Sequence, residues 1–354
     1  MSKKKEPFSA FSAIEKANRL SCAPFEFQAA ACLLDLGVLN YLDKNSKGAD
    51  IKELCEHLKL SSYAVRVLVD SGLAFNLLEE DAEGKLHASK IAYFLLHDKM
   101  TRANFEFAQN VCYQGLAYLK ESLKKGSPEG LNTLGNAQTI YPIISKLLEP
   151  AKSSWFRFDH FYSDTAYNES LPFVFETSPK TINDIGGNTG KFAQKCCEFD
   201  DSVHVTIYDL PEQCDVAKKS IEEHGLSKRI GTEPVDILSS LPLPDNNADV
   251  WWMSQFLDCF SESQVVSILQ KISEVMRRDA RIFILEPLIG EQPFDIGNSC
   301  LAAFSLYFTA IANGYSRFYH LTDFQQMIEK AGLCLEAVHN HIGTGHSLLI
   351  CKAR

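Results

Sequence analysis

The sequence predicts a two-part α/β protein: a mainly helical N-terminal region, then a doubly wound, Rossmann-like sheet. Three observations predict it. From Thr181 onward, short β-branched segments alternate with helix-like segments. The first of these, Thr181-Ile-Asn-Asp-Ile-Gly-Gly-Asn-Thr-Gly190, carries an acid into a glycine-rich turn. The first hundred residues show no such alternation, and 354 residues exceed what one core usually supports.

In chain order, an apolar helical segment spans 24–45 and two short helices span 49–58 and 61–73, the second opened by Ser61 and Ser62 as caps. Phe75-Asn-Leu-Leu-Glu-Glu-Asp-Ala-Glu-Gly-Lys-Leu-His87 follows, two strand-like pieces around an acidic turn. Helix, helix and wing make a winged helix-turn-helix. Its would-be recognition helix carries Arg66 and Asp70, which cancel, and its wing carries Glu79, Glu80, Asp81 and Glu83. Such a wing repels phosphate, so dimerisation rather than DNA binding is expected of residues 1–100.

A helical stretch, 101–165, ends in Trp155-Phe-Arg-Phe-Asp-His-Phe-Tyr162. These aromatics either line a flat apolar pocket, where Trp155, Phe158 and Phe161 with Phe304 are the candidates, or pack a core. The domain boundary is placed near 165, with the second domain at 166–354. Strands are expected at 181–185, 203–209, 230–236, 248–254 and 280–286, and helices at 189–199, 211–225, 262–278, 297–313 and 321–332. The last runs, 333–339 and 346–352, are separated only by a short loop with Gly343 and Gly345, so they form a hairpin that leaves one antiparallel strand.

The turn after Asp184 fits neither familiar phosphate loop. Gly190-Lys191 is followed by Phe192, and Ile185 stands where a P-loop needs its first glycine. A dinucleotide loop would need glycines at Asn188 and Lys191. Gly186, Gly187 and Gly190 nevertheless let the backbone approach a ligand, beside a helix start near Thr189. The next segment, Val203-His-Val-Thr-Ile-Tyr-Asp-Leu210, ends in Asp209, which can accept ribose hydroxyls or cap the helix opened by Pro211. Asp236, followed by Ile237, ends the third and can accept from an adenine amino group. Three acids at successive strand ends fit an adenosine across the carboxyl edge of a parallel sheet.

These phrases, together with Asp249-Val250, Phe256-Leu257 and Ile284-Leu-Glu-Pro287, resemble the class I S-adenosylmethionine (SAM) dependent methyltransferases. Within them the chain is similar to the small-molecule O-methyltransferases related to the plant caffeate and hydroxyindole enzymes. The resemblance implies a seven-stranded sheet, a winged-helix dimerisation domain, a homodimer, and SAM held by Asp184, Gly186, Gly187, Gly190, Asp209, Leu210, Asp236 and Ile237. The catalytic positions depart from the family. Its histidine falls on Asp258 in Phe256-Leu-Asp-Cys-Phe260, its cofactor lysine on Ser254, and its second flanking acid on Phe318 in Arg317-Phe-Tyr-His320; Glu286 matches the first. Asp258 is therefore a tuned base, or the acceptor arrives already acidic and orientation suffices, or SAM is bound without transfer. His320 is a further base candidate that also reads as structural.

Composition narrows the field. A formal charge of −10 argues against nucleic acid as partner. The basic start, Met1-Ser-Lys-Lys-Lys-Glu-Pro7, precedes no apolar signal stretch, and the run 300–312 is too short to span a bilayer. Eleven cysteines without a C-x-x-C pair read as reduced thiols, not a zinc or disulfide framework. A cytoplasmic enzyme with a small-molecule substrate, no metal and no membrane partner is expected.

Overall fold

The computed structural model describes residues 8–244 and 247–354; the basic start at 1–7 lies outside the described residues. The chain divides into two compact units, 1–109 and 110–354.

In the first unit, Ser9 caps the helix Ala10–Asp35 by accepting from the Ser12 N–H at 3.2 Å. The apolar stretch expected as one helix over 24–45 is two, because Gly37 takes φ 86° and starts the helix Val38–Lys44. Asp50 and Glu53 form a reciprocal capping box on Ile51–Leu58, and Ser61 caps Ser62–Ala74. Strands β1 (Leu78–Glu80) and β2 (Leu86–Ala88) pair antiparallel as the wing. Lys85 in its turn donates to Asp50 at 3.1 Å and Glu53 at 2.9 Å, pinning wing to helix. Leu33, Leu39, Leu54, Val65 and Leu78 fill the core beneath.

The second unit carries strands β3 (Thr181–Ile185), β4 (His204–Asp209), β5 (Ile230–Pro234), β6 (Val250–Ser254), β7 (Arg281–Pro287), β8 (Leu333–Ile342) and β9 (His346–Ala353). Their order is β5-β4-β3-β6-β7-β9-β8, with β9 antiparallel to both neighbours and the other pairs parallel. The order reverses between β3 and β6. That opens a crevice at the carboxyl ends of these two strands, where a ligand can enter without breaking the ladder. One face of the sheet buries Trp251, Met253, Ile282 and Ile284; the other buries Ile182, Val205, Ile207 and Trp252.

The boundary expected near 165 is corrected to follow Gln109. A cut at 165 would sever the continuous helix Ala151–Val174, whose Ala166, Leu171 and Val174 lie in the core of the sheet. Another expectation is refined at 297–313, where an α-helix, Asp295–Tyr307, passes into a π-helical turn, Phe308–Ala312. The helix expected from Thr189 starts at Lys191 instead, since Gly190 at φ 80° is left-handed. Among the described residues no single helix is long and apolar enough to cross a membrane. All eleven cysteines are free.

The π-helical turn packs against bare backbone. A methyl group on Gly130 would lie 2.3 Å from the Gly115 carbonyl oxygen and 2.7 Å from that of Ala310. Neither oxygen sits on a side chain that can swing away. Gly130→Ala should therefore lose about 2–3 kcal/mol of stability by urea denaturation, and a loss below about 0.5 kcal/mol would contradict this packing.

Candidate functional site

The crevice between β3 and β6 is formed by a turn that only glycine permits. Gly186 has φ 73° and donates its N–H to the Tyr208 carbonyl at 2.8 Å. A methyl on Gly186 would strike the Phe256 ring at 2.3 Å; one on Gly187 would strike Asp184 Oδ2 at 2.6 Å. Gly190 lies off the crevice wall and closes the turn through its N–H to the Gly187 carbonyl at 2.8 Å. Asn188, between them, is also left-handed at φ 49°.

Asp184, Gly186, Gly187 and Ser254 line a cleft, together with Asp159, His160, Ser163 and Tyr167 from the helix Ala151–Val174. Phe192 stacks on Trp252 in its wall, centroids 3.9 Å apart and 7° from parallel. Asp184 is 2 % exposed, and its Oδ2 has no partner. Burial, with the nearby Asp209 charge added, pushes its carboxyl up to about 8. Ser254 Oγ is likewise buried without a partner.

Asp209 ends β4 and accepts from the Asn188 N–H at 2.9 Å and the Leu210 N–H at 2.8 Å. Burial raises its carboxyl, and these two N–H bonds oppose the rise. The bond to Asn188 ties the end of β4 to the glycine turn. The helix cap before Pro211 is Leu210, which is exposed. Asp236 lies two residues beyond β5, exposed, with Oδ1 accepting from the Leu238 N–H at 2.9 Å. The Ile237 side chain is buried in the core, and its carbonyl accepts from Lys271 Nζ at 2.8 Å. The acids of β3, β4 and β5 thus stand in sequence along three adjacent strands, but only Asp184 lines the cleft.

Asp258 and Glu286 come together on the other side of the turn. Glu286 ends β7 at 1 % exposed, and its Oε1 accepts from the Phe256 N–H at 2.9 Å and the Leu257 N–H at 2.8 Å. It thereby caps the single 3₁₀ turn Leu257–Cys259 that holds Asp258. Gln255, just before it, is left-handed at φ 47°, a strained residue at the crevice. Asn313 donates to the Cys259 carbonyl at 2.9 Å, and Tyr319 Oη donates to the Phe260 carbonyl at 2.5 Å, so the loop is held from three directions. Asp258 Oδ1 and Glu286 Oε2 are buried and unpartnered.

The aromatic candidates pair with one another or with neighbouring tyrosines. Trp155 Nε1 donates to Tyr307 Oη at 2.9 Å, Phe158 meets Phe304 edge to face at 5.3 Å, and Phe161 meets Tyr162 similarly at 5.2 Å. Trp155, Phe158 and Phe304 bridge the helices Ala151–Val174 and Asp295–Tyr307; none of the four aromatics lines the cleft. Phe318 is core, edge to face with Phe308 at 5.2 Å. His320 is structural: it caps the helix Leu321–Lys330, its N–H donating to Asp323 at 2.9 Å.

Sequence reasoning missed Asp159, His160 and Lys191. Lys191 donates to His160 Nδ1 at 3.0 Å and pairs with Asp164 at 3.0 Å beside the cleft. The phrase around Asp159 is dominated by its aromatics, yet its single acid lines the cleft. Burial pushes Asp159 up to about 6 despite Lys191 nearby.

An O-methyltransferase domain family matches residues 173–334, and a Dimerisation2-like domain family matches 15–83. L-tyrosine C(3)-methyltransferase of Streptomyces lavendulae is 24% identical over 313 residues, 87% of this chain and 83% of that protein. The structure of mitomycin 7-O-methyltransferase superposes with a TM-score of 0.73 at 18% identity, covering 97% of this chain and 98% of the other. A structure described as a pericyclic reaction enzyme superposes at 0.66 and 17%, covering 98% and 90%. At these identities the two structures establish the fold.

The unpartnered Asp184 sets a linkage. Its folded value is raised, so the stability it contributes is present below the unfolded value of about 4 and is lost as pH rises through about 8. In ligand-free protein Asp184→Asn should therefore raise the melting temperature above pH 8, by about 1–3 kcal/mol of added stability, with little effect near about pH 4. Thermal melts showing destabilisation by the variant at alkaline pH would contradict an uncompensated charge.

Proposed function

We propose that the chain is a class I SAM-dependent methyltransferase, similar to the small-molecule O-methyltransferases, and that it methylates an oxygen or carbon of a small aromatic or conjugated metabolite. The observation that carries this is the cleft beside the glycine turn. The orphaned Asp184 Oδ2 and Ser254 Oγ, and the space kept by Gly187, suit the cationic methionine end of SAM. Asp209 would accept the ribose hydroxyls, Asp236 the adenine amino group, with Gly186, Gly190, Leu210 and Ile237 forming the backbone around them. SAM supplies a methyl already electrophilic on its sulfonium, so alignment and the state of the acceptor's proton are what the protein controls. Asp258 and Glu286 are the residues in position to do so, with Trp155, Phe158, Phe161 and Phe304 offered as the acceptor's aromatic surroundings.

A second reading has an observation of its own. Asp258 stands where the family keeps its histidine, and the fold is shared with a pericyclic reaction enzyme. SAM bound without transfer would then be the function.

We further propose a homodimer built mainly from residues 1–110, in the cytoplasm, without a nucleic-acid or membrane partner. Support comes from the helix Ala10–Asp35, where Phe11 is 78% exposed, Leu20 77% and Phe25 72%, more apolar surface than a monomer tolerates. The acidic wing and the eleven free thiols support the rest.

Calorimetry should find SAM and S-adenosylhomocysteine (SAH) bound at roughly −7 to −8 kcal/mol, and Asp209→Ala weaker by about 1–3 kcal/mol. Absence of binding by the folded wild type would sink the assignment. Light scattering should give about twice 39.6 kDa at micromolar concentration. A value near 39.6 kDa would remove the dimer.

A further inference from the structure

Glu286, at the end of β7, holds the loop that carries Asp258, and among the described groups that act most strongly on the two carboxyls there is no cation. Glu286 Oε1 is fixed by two backbone N–H groups, which leaves Oε2 buried and unpartnered; Asp258 Oδ1 is buried and unpartnered as well. Asp258 is 6 % exposed and Glu286 1 %. The titratable groups that face Asp258 are Glu286 from β7, Cys259 from its own turn, Asp159 from the helix Ala151–Val174, and the hydroxyls of Tyr141 and Tyr319. Each of these carries a negative charge or none. Two carboxylates side by side in such a place cannot both ionise.

We infer that this pair keeps one proton near neutral pH and that Asp258 presents it as a hydrogen-bond donor to an oxygen anion, so that the acceptor is a compound already ionised when it binds: an acidic enol, a carboxylate or an acidic phenol. The inference rests on the methyl-transfer reading and deepens it. Burial pushes Asp258 up to about 7 and, with the Asp258 charge beside it, pushes Glu286 well up from the carboxylate range. A carboxylate at Asp258 would repel an anionic nucleophile; a carboxylic acid there steadies it, as a neutral acid does in other buried oxyanion sites.

The proton balance follows. As the acceptor oxygen bonds to the methyl carbon, the carbon–sulfur bond breaks and its electron pair stays on sulfur. Anion and sulfonium become two neutral products, and the carboxyl proton remains with the protein. No base is needed, which accounts for an aspartate at a position where a proton acceptor suited to neutral pH would otherwise be required. Glu286 is a positioning residue: it holds the turn and raises its neighbour's hold on the proton.

Infrared difference titration tests this without knowing the acceptor. In the difference between wild type and Asp258→Asn, where the Asp184 carboxyl cancels, the carbonyl band of a protonated carboxylic acid should be present near about pH 7 and fade on going to alkaline pH, in ligand-free and SAH-loaded protein alike. Glu286→Gln should move the titration toward acid while the fold, checked by circular dichroism, is kept. With 4-nitrophenol as probe on the SAH complex, the yellow phenolate should be the bound form. Its affinity should be kept within about threefold in Asp258→Asn, whose amide still donates, and fall about tenfold or more in Asp258→Ala. A wild type with no such band at neutral pH, or one that binds the probe as neutral phenol and loses it equally in both variants, would overturn the inference. Failure to bind SAH with the band intact would strike the transfer reading instead.

Discussion

Burial of carboxyl groups without protein cations is the constraint around which the second unit is organised. Asp184, Asp258 and Glu286 each hold an oxygen out of water with no partner. Burying such a charge costs several kcal/mol unless it is neutralised or counter-charged, so the groups either keep a proton or await a cation. A sulfonium with an ammonium is the counter-charge that suits Asp184. At Asp258 and Glu286 the proton itself is the cheaper solution. On the proposed reading one problem is solved in two ways, by the cofactor's charge at Asp184 and by a retained proton at Asp258 and Glu286.

The surrounding backbone makes this possible. Left-handed Gly186 and Gly190 fold the turn back beneath the ends of β3 and β4, and the missing side chains leave Asp184 and the Phe256 ring in direct contact with main chain. On the far side Glu286, Asn313 and Tyr319 together satisfy the polar backbone of residues 256–260. Asn313 also donates to Tyr141 at 3.1 Å and Ser316 at 2.8 Å, linking this loop to the end of the π-helical turn. Rigid supports of this kind keep strained Gln255 in place.

Much of this was legible in the sequence because it is local. Period-two apolar runs ending in acids placed β3, β4 and the glycine turn, and the short Gly343 and Gly345 loop required the β8–β9 hairpin. Asp258 and Glu286 were reached differently, through the family resemblance of Phe256-Leu-Asp-Cys-Phe260 and Ile284-Leu-Glu-Pro287. What was not legible depends on residues distant in the chain. Asp159 reaches the cleft only because of the helical register of Ala151–Val174. The clamp by Asn313 joins positions 54 apart, and no local pattern announces it. The boundary was set near 165 because strand–helix alternation begins only at Thr181, whereas the preceding helix Ala151–Val174 continues into the sheet core. The split at Gly37 was visible only as a single glycine in an apolar run.

The most direct measurement is a crystal structure of the protein with SAH. The ribose hydroxyls should lie on Asp209, the amino acid end beside Asp184 and Ser254, and the sulfur should face Asp258. SAH found elsewhere on the chain, or lying in the crevice with its sulfur turned away from Asp258, would contradict the assignment of Asp184 to the cofactor and Asp258 to the acceptor.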